Sequence, residues 1–281
     1  MHWTRLGKHF FKIALLLRDS LLLSSVIYNI EIWYNVSDKD ILELSPLDSI
    51  LFSKLFRVPQ KIGKEAYYLE TGSLNIETIL KVRRVIYYHN LVNRDINQTI
   101  YSFFLSQLMD SCRGDWVKQA HKDFEDFNIS YTFSYLQNVS VFSFKKEVKE
   151  KAKIYFFNSL KAKQKKHSKM KTIVYDDFQL QPYLVREDIS KEQKIVYFSW
   201  RTKMALFGEN FRGGRSKVLC PLCNKHEDSQ ESSFECATIK DKQNINFDYD
   251  VMFCQSSTQL PEMLQTLSKI LKSRSEYAIQ K

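Results

Sequence analysis

The sequence predicts a mainly α-helical fold: a multi-helix body with few short strands, followed by a small knuckle-like cysteine segment and a C-terminal helix. Along most of the 281 residues, apolar side chains recur at intervals of three and four, as in helices that bury one face. Glycine and proline are scarce, at 7 and 5 residues, which fits helices better than turn-rich folds. Strand signals are weak, and residues 130–141 and 172–184 are the best places for them.

The first helix signals lie within the first sixty residues. Residues 10–34 form a long apolar-rich segment. Ser37 with Asp40 indicates one helix start, and the Ser-Pro-Leu-Asp segment at 45–48 indicates a better one. In that segment Ser45 can accept a backbone N–H as N-cap, and proline suits the first helical position because it has no N–H to leave unpaired. We therefore expect a helix that begins after Ser45.

Further helices are predicted over residues 76–91, 98–109 and 115–127 from the spacing of their apolar residues. Ser190 with Gln193 forms a capping box ahead of another apolar run, because each side chain can bond the backbone N–H at the other position. Pro261 opens a final helix. The apolar stripe of that helix comprises Met263, Leu264, Leu267, Ile270 and Leu271.

The composition excludes several classes of protein. Phosphate-binding loops need clustered glycines, and the only close pair is Gly213-Gly214, so the chain has no dinucleotide fingerprint and no P-loop. It also lacks G-x-S-x-G and H-E-x-x-H motifs. The Tyr-Asp-Asp run at 175–177 lacks the residue that separates tyrosine and aspartate in the metal-binding turn of reverse transcriptases. No catalytic residue is assigned, and we expect no small-molecule substrate.

Segment lengths and the cysteine count also bear on the cellular compartment of the protein. The apolar run Ile13–Leu17 is too short for a signal peptide, and the longest uncharged stretch near it, Ser20–Ile30, is too short to span a bilayer. Five cysteines, an odd number, favour a reducing compartment. The prediction is an intracellular protein of nucleus or cytoplasm, neither secreted nor membrane-bound.

Nearly all of the net charge of +10 lies in one segment. Residues 145–171 contain eleven lysines and two acids. Apolar residues at 154–157 and Leu160 predict one buried side for this segment, whereas 161–171 has none and is expected to be an exposed basic strip. A solvated helix face is the alternative. The favoured prediction is contact with RNA or DNA, mainly with the phosphate backbone. The residues expected to make it are Lys161, Lys163, Lys165, Lys166, Lys169, Lys171, Arg212 and Arg215.

A group of cysteines predicts a zinc site. Cys220, Cys223, His226 and Cys236 form a C-x2-C-x2-H-x9-C pattern. A C-x2-C turn directs two thiolates at one point, and thiolate and imidazole are the donors that tetrahedral zinc prefers. Free cysteines on a loop are the alternative, and Cys254 is a weaker fourth ligand. We expect one zinc ion.

The chain also resembles the C-terminal region of non-LTR (LINE-type) retrotransposon reverse transcriptases. The resemblance begins at Ser24–Tyr34, which contains Glu31-Ile32-Trp33 at the end of a hydrophobic helix, and continues in the helical segment 40–58. It extends to nearly the whole chain through short motifs in a matching order. These are residues 68–73, 81–84, 114–116, 167–169, 181–184, 201–204, 210–212 and the knuckle at 220–223.

Two departures limit what the resemblance implies. Many family members carry the knuckle histidine where this chain has Ser232 and Ser233, so His226 would have to substitute for it. The polymerase fingers and palm, with their catalytic aspartates, have no counterpart here, so polymerase activity is not carried onto this chain. The resemblance implies a thumb-like helical segment (1–60), a helical connection region (61–206), a linker with zinc knuckle (207–238) and a tail with a helix (239–281).

These observations favour a catalytically inactive C-terminal fragment of a reverse-transcriptase protein that binds nucleic acid. Two alternatives stay open. One is a helical protein-interaction module whose lysines only provide solubility. The other is the product of a decayed mobile element without selected function.

Overall fold

A computed structural model describes residues 9–29, 38–58, 63–109, 115–166, 170, 173–205, 207, 219–236, 255 and 258–279. The structure is mainly helical, which confirms the predicted fold class. Within these ranges, β pairing is limited to an isolated antiparallel bridge between Leu219 and Glu227. None of the described helices is long and apolar enough to cross a membrane.

The first half of the chain contains helices α1 (Phe10–Leu17), α2 (Leu23–Val26), α3 (Asp38–Phe56), α4 (Lys64–Thr71), α5 (Ile76–Val92), α6 (Thr99–Met109) and α7 (Asp115–Asp126), with a π-helical turn at Arg18–Leu22. The remaining described helices are α8 (Phe133–Asn138), α9 (Val141–Lys166), α10 (Pro182–Val185), α11 (Lys191–Arg201), α12 (Ser232–Glu235) and α13 (Leu260–Ile279).

Helix α3 begins at Asp38, so the predicted start after Ser45 is wrong. Pro46 lies inside the helix and has no N–H to donate to the carbonyl of Leu42, four residues earlier. The Ser45 hydroxyl donates to that carbonyl instead, at 3.0 Å. This replacement bond explains how the helix continues past a residue that usually ends one.

The capping box at the start of α11 is confirmed. The backbone N–H of Gln193 donates to the Ser190 hydroxyl at 3.2 Å, and that of Ser190 donates to the Gln193 side chain at 2.9 Å. The segments considered for strands are not strands, because α8 and the start of α9 occupy most of 130–141, and 173–184 is irregular before α10.

The chain forms two compact units, each from separated pieces. One unit comprises Met1–Leu15, Leu51–Thr71 and Lys165–Lys281, and the other comprises Leu16–Ile50 and Gly72–Gln164. The four predicted domains are consecutive, so this division differs from theirs.

Each unit has its own core. In the unit that contains α5, α7 and α8, the core includes Val85, Tyr88, Phe124, Phe144 and Val148. The other unit contains a stack of aromatic rings, in which Phe56 lies 5.1 Å from Phe11 and 3.9 Å from Phe198 between ring centroids. In that unit α13 packs against α11.

Candidate metal centre and basic helix face

A tight loop brings Cys220 and Cys223 together. The backbone N–H of Cys220 donates to the carbonyl of His226 at 2.7 Å, and that of Asn224 donates to the carbonyl of Cys220 at 2.8 Å. Asn224 has φ of 53°, a left-handed conformation that asparagine tolerates better than most residues. The loop therefore turns back on itself between the bridge residues Leu219 and Glu227.

Cys236 reaches the same point from the far end of α12. The Ser229 hydroxyl accepts the backbone N–H of Ser232 at 3.0 Å, and the Ser233 hydroxyl donates to the carbonyl of Gln230 at 2.6 Å. These bonds hold the one-turn helix, and Cys236 follows it directly. Cys220 and Cys236 are buried, and Cys223 is half-buried.

The sulfur atoms of Cys220, Cys223 and Cys236 lie within 4.8 Å of one another. Zinc–sulfur bonds of about 2.3 Å in a tetrahedron place thiolates about 3.8 Å apart. The upper limit of 4.8 Å leaves the three sulfurs near enough for one ion to contact all of them after a small adjustment, and thiolates are strong donors for transition metals. These three residues can therefore hold a metal ion.

Local hydrogen bonding favours the thiolate form of Cys223. Burial acts to raise its pKa, but backbone N–H groups of His226 and Lys225 and the neighbouring thiols outweigh it and lower the pKa to about 7. The thiolate of Cys223, which is the form that binds metals, is thus populated near neutral pH.

The structure does not bring the His226 imidazole into this group of ligand atoms. Its side chain is exposed, and it takes part in the loop through its backbone, whose carbonyl accepts from Cys220 and whose N–H faces the Cys223 thiol. Ser232 and Ser233 pair with Ser229 and Gln230. Of the four ligands predicted from the sequence, the fold therefore brings together the three cysteines.

The knuckle loop is anchored to the end of α11. The buried side chain of Gln230 donates to the carbonyl of Trp200 at 3.0 Å. Lys203 and Glu231 form a more exposed ion pair at 3.3 Å. The segment that carries the cysteines is thus attached to α11, which fixes the direction from which its thiols converge.

One charged residue beside the thiols was not predicted from the sequence. Arg274 of α13 is 6% exposed, and one of its guanidinium nitrogens lies 3.9 Å from the Cys220 sulfur. A second guanidinium nitrogen donates to the Asp228 carboxylate at 2.5 Å. The signal that could have found it is the apolar stripe of α13, which reaches position 274 one turn after Ile270.

The basic segment begins as the long helix α9. Its buried side repeats every four residues through Phe144, Val148, Ala152, Phe156 and Leu160. Ile154, expected on the buried side, is 58% exposed, because it lies two residues from Ala152 and hence on the other side of the helix. Most lysines of α9 occupy the remaining surface.

The predicted basic strip is only partly described. Lys163, Lys165 and Lys166 are exposed at the end of α9. Lys161 is half-exposed, with its ammonium 4.2 Å from the centroid of the Phe157 ring. Buried Gln164 shows that this last turn has an inward side after all. The remaining predicted contacts lie outside the described residues: Lys169, Lys171, Arg212 and Arg215.

A buried polar cluster joins three of the short motifs that carry the family resemblance. Glu70 of α4 accepts from Arg201 at 3.1 Å and from the Tyr175 hydroxyl at 2.5 Å. Its carbonyl accepts the backbone N–H of Gln181 at 3.0 Å. Tyr183 is buried beside the Arg201 guanidinium. These motif residues therefore serve the interior of their unit.

Comparisons of the chain with protein-family models, curated proteins and solved structures find no match.

Proposed function

We propose that this chain is a C-terminal region of a LINE-type reverse-transcriptase protein that binds RNA or DNA and performs no catalysis itself. The observation that carries the proposal is the lysine surface at the end of α9, formed by the exposed Lys163, Lys165 and Lys166 and the half-exposed Lys161. Opposite it, α9 buries apolar side chains, so the lysines face outward from a fixed helix.

Phosphate recognition follows from the kind of charge on this surface. Lysine ammonium groups act as point charges that neutralise phosphates and release counterions, without reading base sequence. Four lysines within six residues span about 8 Å of helix, at 1.5 Å rise per residue. That length covers one or two phosphates of a single strand, so we expect sequence-independent binding extended by neighbouring basic residues.

The cysteine group supports a zinc knuckle in the same proposal. Cys220, Cys223 and Cys236 would supply three thiolates. His226, whose side chain is exposed on the same loop, would have to turn toward the three sulfurs to supply the fourth donor. The ion would supply cross-linking of the loop to α12. Small metal-bound segments gain much of their folding free energy this way.

Salt-dependent binding of labelled single-stranded RNA and duplex DNA tests the nucleic-acid part. In the variant with Lys161, Lys163, Lys165 and Lys166 changed to Gln, we expect weaker binding and a shallower slope of log K against log salt. The slope changes by about 0.9 per lost phosphate contact on duplex and about 0.7 on single strands.

The matched control changes Lys145, Lys146, Lys149 and Lys153 of α9 to Gln, which removes the same charge from the other half of the helix. A loss confined to the first variant supports the proposed surface. Equal losses in both variants, or a wild-type slope near zero, would overturn it.

Zinc stoichiometry of the purified chain tests the knuckle. We expect one ion per chain, lost in Cys220→Ser and retained in Cys112→Ser, which changes a cysteine outside the motif. Zinc absent from the wild-type chain would remove the metal from the proposal. Template-directed nucleotide incorporation by the purified chain would contradict the absence of catalysis.

A helical protein-interaction module is the second candidate. It is favoured by large apolar side chains exposed on α6, namely Ile100, Phe103 and Met109. In this case Phe103→Ser would abolish partner binding, while the lysine variant would bind its partner normally. The two candidates thus predict opposite results for the same pair of variants.

A further inference from the structure

The apolar stripe of α13 ends in a buried arginine. Leu260, Met263, Leu264, Leu267 and Ile270 are buried along one side of the helix. Arg274, one turn further along, is 6% exposed. An apolar residue at this position would continue the stripe at lower cost, because a guanidinium loses its hydration when it is buried. The contacts of Arg274 should therefore explain why it is there.

Arg274 contacts three groups from two other segments. Its guanidinium pairs with Asp228 at 2.5 Å and lies 3.9 Å from the sulfur of Cys220. Its central carbon is 4.4 Å from the centroid of the Phe207 ring. Asp228 is itself buried. The arginine thus joins α13 to the loop that carries two of the thiols.

The charge around Arg274 depends on whether the thiols hold a metal. With protonated thiols, the cysteines add no negative charge to that of Asp228 beside the guanidinium. Three thiolates around a divalent ion carry one net negative charge, and at 3.9 Å from Cys220 the guanidinium stabilises that charge. Arg274 is therefore held more strongly when the metal site is loaded.

We propose that Arg274 is a positioning residue of the metal centre, which couples metal binding to the docking of α13. The inference rests on the metal site of the proposed function. Coupling of this kind is reciprocal: metal binding stabilises docked α13, and docked α13 raises metal affinity by the same factor.

Zinc affinity of the full chain, measured by competition with a chromophoric chelator, tests the first half of the coupling. Arg274→Met should lower the affinity about 10- to 100-fold, the usual effect of removing an outer-sphere partner of a metal ligand. Arg274→Lys, which keeps the positive charge, should recover part of that loss. Lys269→Met changes an exposed cation of the same helix and should leave the affinity unchanged.

Two further readouts separate this role from simple packing. With cobalt in place of zinc, Arg274→Met should shift the thiolate-to-metal charge-transfer absorption, because the guanidinium no longer polarises Cys220. In the wild-type chain, hydrogen exchange of amides 260–279 should accelerate when a chelator removes the metal. That measurement needs no variant, so it tests the coupling of the metal site to α13 even where Arg274→Met does not fold.

Equal zinc affinity in Arg274→Met and wild type, or exchange over 260–279 that ignores the metal, would overturn the coupling and leave the zinc knuckle intact. Absence of zinc from the wild-type chain would overturn both together.

Discussion

The lysines at the end of α9 and the arginine at the end of α11 hold positive charge in opposite environments. Lys163, Lys165 and Lys166 are exposed to water. Arg201 is 2% exposed and is paired with a Glu70 that is fully buried. Exposed cations keep their hydration, whereas a buried cation must find an opposite charge. The contrast teaches that the lysines responsible for the net positive charge contribute little to stability. The buried arginine–carboxylate pairs matter more for the fold, but each pair is neutral and adds nothing to the net charge.

The same pairing recurs in both units. Arg18 bonds Asp48 at 2.9 Å, and Arg84 pairs with Asp123 at 3.0 Å. Both arginines are buried, as is Arg274 beside Asp228. Each pair links two segments that are distant along the chain.

The largest expected effect comes from breaking a buried pair. Arg201→Met leaves the Glu70 carboxylate buried without its cation, which typically costs about 3–5 kcal/mol of unfolding free energy. Urea unfolding of the purified chain measures the loss. The double variant Arg201→Met/Glu70→Gln removes both charges but keeps a partner for the Tyr175 hydroxyl, so it should recover part of the stability. A single-variant loss below about 1 kcal/mol would contradict the contrast drawn above.

An intermediate effect is expected at Asp123, whose stability contribution depends on pH. Burial raises its pKa from 3.8 to about 6, against the opposing effect of Arg84 and Lys81. Because the folded state holds the proton more tightly, the contribution is complete below about pH 4 and is lost as pH rises through about 6. Its size is roughly 2–3 kcal/mol.

The measurement is the unfolding free energy of wild type minus that of Asp123→Asn at several pH values. This difference should fall between about pH 4 and pH 6. His89 and His121, whose pKa values burial lowers, titrate in both proteins and cancel from the difference. A difference that stays flat or rises with pH would show that the pair with Arg84, and not burial, decides the state of this carboxyl.

The smallest effect is expected from the exposed lysines. Changing Lys161, Lys163, Lys165 and Lys166 to Gln should alter the unfolding free energy by less than about 0.5 kcal/mol. The effect is small because relief of the repulsion between Lys161 and Lys165, four residues apart on the helix, is opposed by loss of the contact between the Lys161 ammonium and the Phe157 ring. A loss of more than about 1 kcal/mol of unfolding free energy would mean that these lysines stabilise the fold. Any loss of nucleic-acid binding in this variant would then have to be compared with the variant at Lys145, Lys146, Lys149 and Lys153.

The helices follow from local patterns in the sequence. The predicted bounds of α5, α6 and α7 agree with the structure to within a residue, because apolar spacing is a property of neighbouring residues. Position 46 shows the limit of such rules. The serine–proline signal indicated a helix start, but the Ser45 hydroxyl bonds the Leu42 carbonyl and the helix begins at Asp38.

The candidate metal site was likewise predicted only in part from the sequence. The C-x2-C spacing and Cys236 predicted three thiols that the structure places within 4.8 Å of one another. His226 fitted the spacing equally well but has an exposed side chain outside the group. Spacing limits which residues are able to meet, whereas the direction of a side chain depends on how the loop is anchored, here through Gln230 to Trp200.

The sequence by itself determined the helical fold class, the capping box of α11, the segment that carries the charge and the cysteines able to bind a metal. Each of these depends on residues close together in the chain. Tertiary structure alone decided that Arg201 meets Glu70 and that Arg274 meets Cys220 and Asp228. The physical reason is that burial and pairing between distant residues depend on how the helices pack in three dimensions. A buried arginine loses its hydration and therefore needs an opposite charge beside it.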